Sequence, residues 1–73
     1  MNNRILDLRE DLDLRQIDVA SAIGITQRKY SYIETGTQQL TDEILVKLAD
    51  FYCTSTDYIL RLTNEKRPYP KFK

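Results

Sequence analysis

The chain has 73 residues, 41% of them hydrophobic, with 11 Lys/Arg balanced by 11 Asp/Glu. That length supports one domain with a modest core and leaves little material for a deep active-site cleft. Histidine is absent and Cys53 is the lone cysteine, which removes the commonest general base, a zinc ligand set and an internal disulfide, and the short apolar runs leave no transmembrane span or signal-peptide core.

Apolar positions recur at helical spacing, and sustained strand-like alternation is missing. Glycine occurs only at 24 and 36 and proline only at 68 and 70, so nearly everything between can be helical. The pattern predicts an all-α, compact five-helix chain. A first helix runs over residues 3–11, with Ile5, Leu8 and Leu12 on one face. A break at 13–15 leads to a second helix over 16–23 that buries Val19, Ala20 and Ile23. Gly24 and Ile25 make a turn, which calls for a residue tolerant of positive φ at Gly24. Thr26 is an N-cap for a third helix to residue 35, stopped by Gly36 at a left-handed position.

Residues 37–40 form a loop. Thr41 caps a fourth helix, with Asp42 and Glu43 in its first turn where the helix dipole favours anions. Leu45, Leu48, Ala49 and Tyr52 make its stripe. Ser55 caps a fifth helix through residue 62, using Tyr58, Ile59 and Leu62. The final residues, 64–73, form a polar tail in which two prolines forbid further helix.

Net charge is zero but unevenly placed. Residues 1–65 hold seven Lys/Arg against eleven Asp/Glu, a net −4, and residues 66–73 hold Lys66, Arg67, Lys71 and Lys73 without an acid. No nucleophile, base or metal constellation is visible, so the expectation is no catalytic residue, no metal, no cofactor and no small-molecule substrate. The single cysteine suits a reducing, cytoplasmic setting.

Two helices of about two turns each, joined by a short turn with glycine, form a helix-turn-helix signature. At this point the residues resemble a known family. LRQIDVASAIGITQRKYSYIETG (14–36) is similar to the helix-turn-helix of phage repressor and Cro-type regulators, also called xenobiotic-response-element-type regulators. The pattern is carried by Gln16, Val19, Ala20, Gly24, Ile25, Thr26, Glu34 and Gly36. LRED (8–11) resembles the end of the family's first helix, ILVKLADFY (44–52) its fourth and TSTDYIL (54–60) its fifth. The likeness covers residues 3–63, giving a helix-turn-helix domain over 1–63 and a basic tail over 64–73.

The resemblance implies a lambda-repressor-like fold and a sequence-specific regulator of transcription that reads a double-stranded DNA operator. The third helix would lie in the major groove, with Gln27 and Arg28 at base edges, where Gln suits adenine and Arg guanine. Lys29 and Tyr32 are the next outward positions. Gln16, Arg15, Thr26, Ser31, Thr37 and Gln38 would face phosphates. Arg9 and Glu34 match a structural salt bridge of the family. Leu40, Ile44 and Phe51, off the main stripe of the fourth helix, would form an apolar patch for a homodimer; alternatively that face packs beneath the fifth helix or the tail.

Several positions depart from the pattern. The loop TQQL (37–40) is neutral where relatives are basic. Arg15 replaces a Thr or Ser cap, and Asp13 stands where Gly is common and can adopt a left-handed conformation. Cys53 occupies a place often held by Gly or Asn. Arg61 replaces a frequent Gly, so the fifth helix is expected to run on. Tyr30 is expected in the core. The tail has three readings: a solvated end, a source of phosphate attraction, or a segment that docks through Tyr69 and Phe72. A second class of function is an antitoxin-like module with a protein partner, read from the neutral charge and neutral loop.

Overall fold

Three hydroxyl side chains start three of the helices. Thr26 Oγ1 accepts the Lys29 N–H at 3.1 Å, Thr41 Oγ1 that of Ile44 at 3.3 Å, and Ser55 Oγ that of Tyr58 at 3.0 Å. Each satisfies an amide that the first helical turn cannot, worth about 1 kcal/mol. In the computed structural model, which describes residues 3–67, the helices are α1 (Ile5–Asp11), α2 (Gln16–Ile23), α3 (Gln27–Thr35), α4 (Asp42–Phe51) and α5 (Thr56–Ile59). Arg15 cannot cap α2, and Asp18 compensates by reaching back to the Arg15 N–H at 3.0 Å.

The helix ends follow one rule. Each of the five is followed by a residue in the left-handed region: Asp13 (φ 54°), Gly24 (φ 79°), Gly36 (φ 84°), Cys53 (φ 53°) and Arg61 (φ 63°). At four of them the next amide then turns back five residues, from Leu14 to Arg9, Ile25 to Ala20, Thr54 to Ala49 and Leu62 to Asp57, at 2.8–3.2 Å, while after Gly36 the Gln38 amide turns back to the Tyr32 carbonyl at 3.0 Å. These bonds close orphan carbonyls. At two of the corners the reversal also delivers an apolar residue, Leu14 and Ile25, onto the core.

α2 packs against both α3 and α4, and α4 against α5. The core consists of Ile5 and Leu8 of α1, Val19, Ala20 and Ile23 of α2, Tyr30 and Ile33 of α3, Ile44, Leu48 and Ala49 of α4, with Tyr52 and Ile59. The Arg4 N–H donates to the Ile59 carbonyl at 2.9 Å and ties the start of α1 to the end of α5.

Four expectations are corrected. Leu12 was expected on the buried face of the first helix and is 59% exposed; α1 ends at Asp11, where the sequence places its end, and Leu12 is the C-cap beyond its last turn. The fifth helix does not run on through Arg61: α5 stops at Ile59. Arg61 takes the left-handed conformation itself, held by its Nη2 donating to the Asn3 carbonyl and to Asp7 Oδ2. That reversal swings Leu62 off the core, where it is 72% exposed. Ile44 was placed with Leu40 and Phe51 in an exposed patch, yet it is buried beside Leu48, while Leu45 of the expected stripe is only half-buried. The direction from which α5 and the other helices meet α4 rotates its buried face toward Ile44, one turn before Leu48.

In the tail, Thr54 Oγ1 donates to the Lys66 carbonyl at 2.6 Å, and Arg67 pairs with Glu65. The docking expected of Tyr69 and Phe72, and the charges of Lys71 and Lys73, lie outside the described residues. Among the described residues no helix is long and apolar enough to cross a membrane.

Candidate nucleic-acid interface

α3 is held by one face and presents the other. Tyr30, Ile33 and Glu34 are buried. With 3.6 residues per turn, the opposite side is the ridge of Arg28, Tyr32 and Thr35, and all three are exposed, as is Gln27 at the open first turn. Lys29 and Ser31 flank the ridge half-buried. The outward residues expected for base contact therefore lie together on one surface of one short helix.

Glu34 fixes the orientation of that surface. Arg9 Nε donates to Glu34 Oε2 and Arg9 Nη2 to Oε1, both at 2.9 Å, while Arg9 Nη1 bonds the Leu14 carbonyl. Gln16 Nε2 adds a bond to Oε1 at 3.1 Å. One carboxylate thus joins the end of α1, the start of α2 and the last turn of α3. Burial alone would raise its pKa, but the Arg9 guanidinium, with Tyr30 and Gln16, outweighs burial and holds the carboxyl below the ordinary range. The bond to Glu34 in turn raises the Arg9 pKa. Tyr30 and Tyr52 place their hydroxyls in the same interior without a partner of full hydrogen-bond geometry, and burial pushes the Tyr52 phenol up to about 12.

The charge pattern is one-sided. Between residues 19 and 41 the sequence has one acid, Glu34, and that acid is buried against Arg9. Arg28 and Lys29 are consequently unopposed within this stretch. The remaining acids sit on α1, at Asp13 in the turn before α2, on α2, α4 and α5, and in the tail.

Apart from Ser31, half-buried beside the ridge, the expected phosphate residues divide into three groups. Thr26, Thr37 and Gln38 are exposed around the two ends of α3. Gln16 is half-buried and spends one amide hydrogen on Glu34, leaving its second available. Arg15 is committed to Asp18 through Nε and Nη2, at 3.1 and 2.9 Å, which lowers the Asp18 pKa. Its charge is already matched locally.

Thr35 was not singled out from sequence. Its hydroxyl bonds the Ser31 carbonyl and meets Thr37 Oγ1 at 3.1 Å, joining the end of α3 to the loop. The signal was present as the seven-residue spacing from Arg28. The trio Leu40, Ile44 and Phe51 does not make a single exposed patch, because Ile44 is core and Leu40 packs against it. Phe51 instead lines a cleft between α2 and α4 with Ala22, Ile23, Lys47 and Asp50. No cluster of potential metal ligands exists among the described residues.

A polar helix locked by its inner face onto a second helix, across a left-handed glycine turn, defines a DNA-binding helix-turn-helix domain of the repressor and Cro type. Residues 5–59 match the family described as helix-turn-helix, and the chain belongs to that family. It is 43% identical over 51 residues to the cryptic phage CTXphi transcriptional repressor RstR of Vibrio cholerae, covering 70% of this chain and 46% of RstR. The matched region thus spans about half the length of that relative. No solved structure matches significantly.

Proposed function

We propose that this chain is a transcriptional repressor that binds a double-stranded DNA operator as a homodimer. α3 enters the major groove, Gln27, Arg28, Lys29 and Tyr32 face base edges, and Gln16, Thr26, Ser31, Thr37 and Gln38 supply neutral hydrogen bonds to phosphates. Dimerisation follows from the geometry of this docking mode, in which a two-fold protein places one helix in each of two half-sites.

The observation that carries the reading is the charge pattern around α3: its sole acid is buried and paired with Arg9, leaving Arg28 and Lys29 to set the sign of the outer face. A neutral total charge is compatible with this, because the acids reside elsewhere. The likeness to a phage transcriptional repressor supports repression as the outcome of binding.

Selection of binding sites from a random double-stranded library tests the proposal, followed by titration at several salt concentrations. The expected result is a two-fold-related motif. Affinity should fall with salt at a log–log slope of roughly −0.9 for each phosphate neutralised. A library with no enriched sequence, or binding indifferent to salt, would reject it; the latter is what a protein-interaction module would give.

A further inference from the structure

Two arginines lie on or beside the expected DNA face, Arg28 on its ridge and Arg15 at the N-cap of α2, and each is held by a side chain close in sequence. Arg15 is held by a carboxylate, Asp18. Arg28 is held by a phenol: its Nε donates to the Tyr32 hydroxyl at 3.0 Å, and its guanidinium carbon lies 5.7 Å from the Tyr32 ring centroid. The difference is chemical. A carboxylate orients a guanidinium and cancels its charge, whereas a neutral hydroxyl orients it and leaves the charge intact.

The contact also selects which edge of the guanidinium is offered. Nε is occupied, while Nη1 and Nη2 have no partner among the described residues. That leaves the end-on fork, two donors side by side with no acceptor. In the major groove guanine presents two acceptors, O6 and N7, whereas adenine presents N7 beside an amino donor. An end-on fork satisfies the first and leaves a donor against a donor in the second. Because Arg28 and Tyr32 are four residues apart on one helix, they share the outer ridge, and the pairing holds the long side chain over that ridge before DNA arrives. Less rotamer freedom is then lost on binding.

Resting on the reading of α3 as the base-reading helix, we infer that Tyr32 is a positioning residue that presents Arg28 end-on to a guanine. On the base-facing surface of α3, Tyr32 acts on specificity through Arg28 and not through a base contact of its own.

The test uses the operator selected with the wild-type chain and a panel carrying each single base-pair change. Affinities are measured for wild type, Tyr32→Phe, Arg28→Ala and the double variant. Tyr32→Phe keeps the ring and removes the hydroxyl. It should lower the preference for guanine about tenfold at one position, the same position where Arg28→Ala abolishes it. In the double variant the tyrosine change should have no further effect, and the thermal midpoint of Tyr32→Phe should match wild type.

Three results overturn the inference alone: an unchanged guanine preference in Tyr32→Phe, a loss at a different base pair, or a uniform weakening across the panel. The second would make Tyr32 a direct base reader and the third a phosphate contact. Failure to select any operator overturns the DNA reading and this inference together.

Discussion

Arg9 and Glu34, 25 residues apart in sequence, meet through two parallel N–H···O bonds of 2.9 Å each. The fork clamps the last turn of α3 to the end of α1, while the third nitrogen of Arg9 closes the carbonyl of Leu14. The outward face of α3 is therefore oriented by a contact on its reverse side. Replacing Glu34 with Gln would leave a guanidinium that is only 17% exposed without its counter-charge. The expected cost is about 3 kcal/mol, read as a lower midpoint in urea, and a large share of what a domain this small possesses.

The same pair predicts how stability depends on acid. The Glu34 pKa is lower folded than its ordinary 4.5, so the unfolded chain takes up a proton first as pH falls. The stabilisation is fully present above that ordinary value and is lost as pH drops through the folded pKa. Unfolding free energy measured from pH 6 downward should decline below about pH 4.5, and the part due to Glu34 should vanish from the profile of Glu34→Gln.

At the alkaline end the sign reverses. Burial raises the phenol pKa of both Tyr30 and Tyr52 above the usual 10.0. Their stabilisation is complete below that value and is lost as pH rises toward the folded pKa values. Tyr52→Phe removes a buried hydroxyl that has no partner of full geometry. It should leave neutral-pH stability within about 1 kcal/mol of wild type and flatten the alkaline decline followed by far-ultraviolet circular dichroism.

Cys53 offers a test of the helix-ending rule. It sits at φ 53°, exposed, after α4. A left-handed conformation costs a residue with a β-carbon about 1–2 kcal/mol, partly offset in glycine by its larger unfolded-state entropy. Cys53→Gly should therefore raise stability by about 0.5–1 kcal/mol. Arg61→Gly relieves the same strain but forfeits the bonds to Asn3 and Asp7, so it should gain less. Chemical denaturation of the two variants side by side gives the comparison.

Gln27→Ala and Arg28→Ala should each weaken specific DNA binding by about 1–3 kcal/mol and relax the preference at one defined base pair. Both side chains are exposed, so thermal unfolding should be nearly unchanged. Anisotropy titrations on the selected operator and its single-base variants would measure both effects.

The bounds of α2 and α3, the caps at Thr26, Thr41 and Ser55, and the left-handed turns at Gly24 and Gly36 were legible in the sequence. The pairing of Arg9 with Glu34 came from family resemblance, since nothing local links two residues so far apart. The left-handed turns at Cys53 and Arg61 were not foreseen as such. Neither residue type favours that conformation, and the end of α4 and the stop of α5 are set by the chain that follows and by contacts with α1.

What the sequence by itself determined is local: where each helix can start, which residues of α3 have polar or apolar chemistry, and that acids avoid the stretch around it. These depend on backbone preferences and side-chain types within a few residues. Only the tertiary structure decided that Ile44 is core, that Leu12 and Leu62 are left outside, and that Gln16 turns toward Glu34. It also decided that Arg28 is held by Tyr32 while Arg15 is matched by Asp18. Helical periodicity allows several apolar faces and each arginine several rotamers, and the choice among them is made by the neighbours that packing and hydrogen bonding bring within reach.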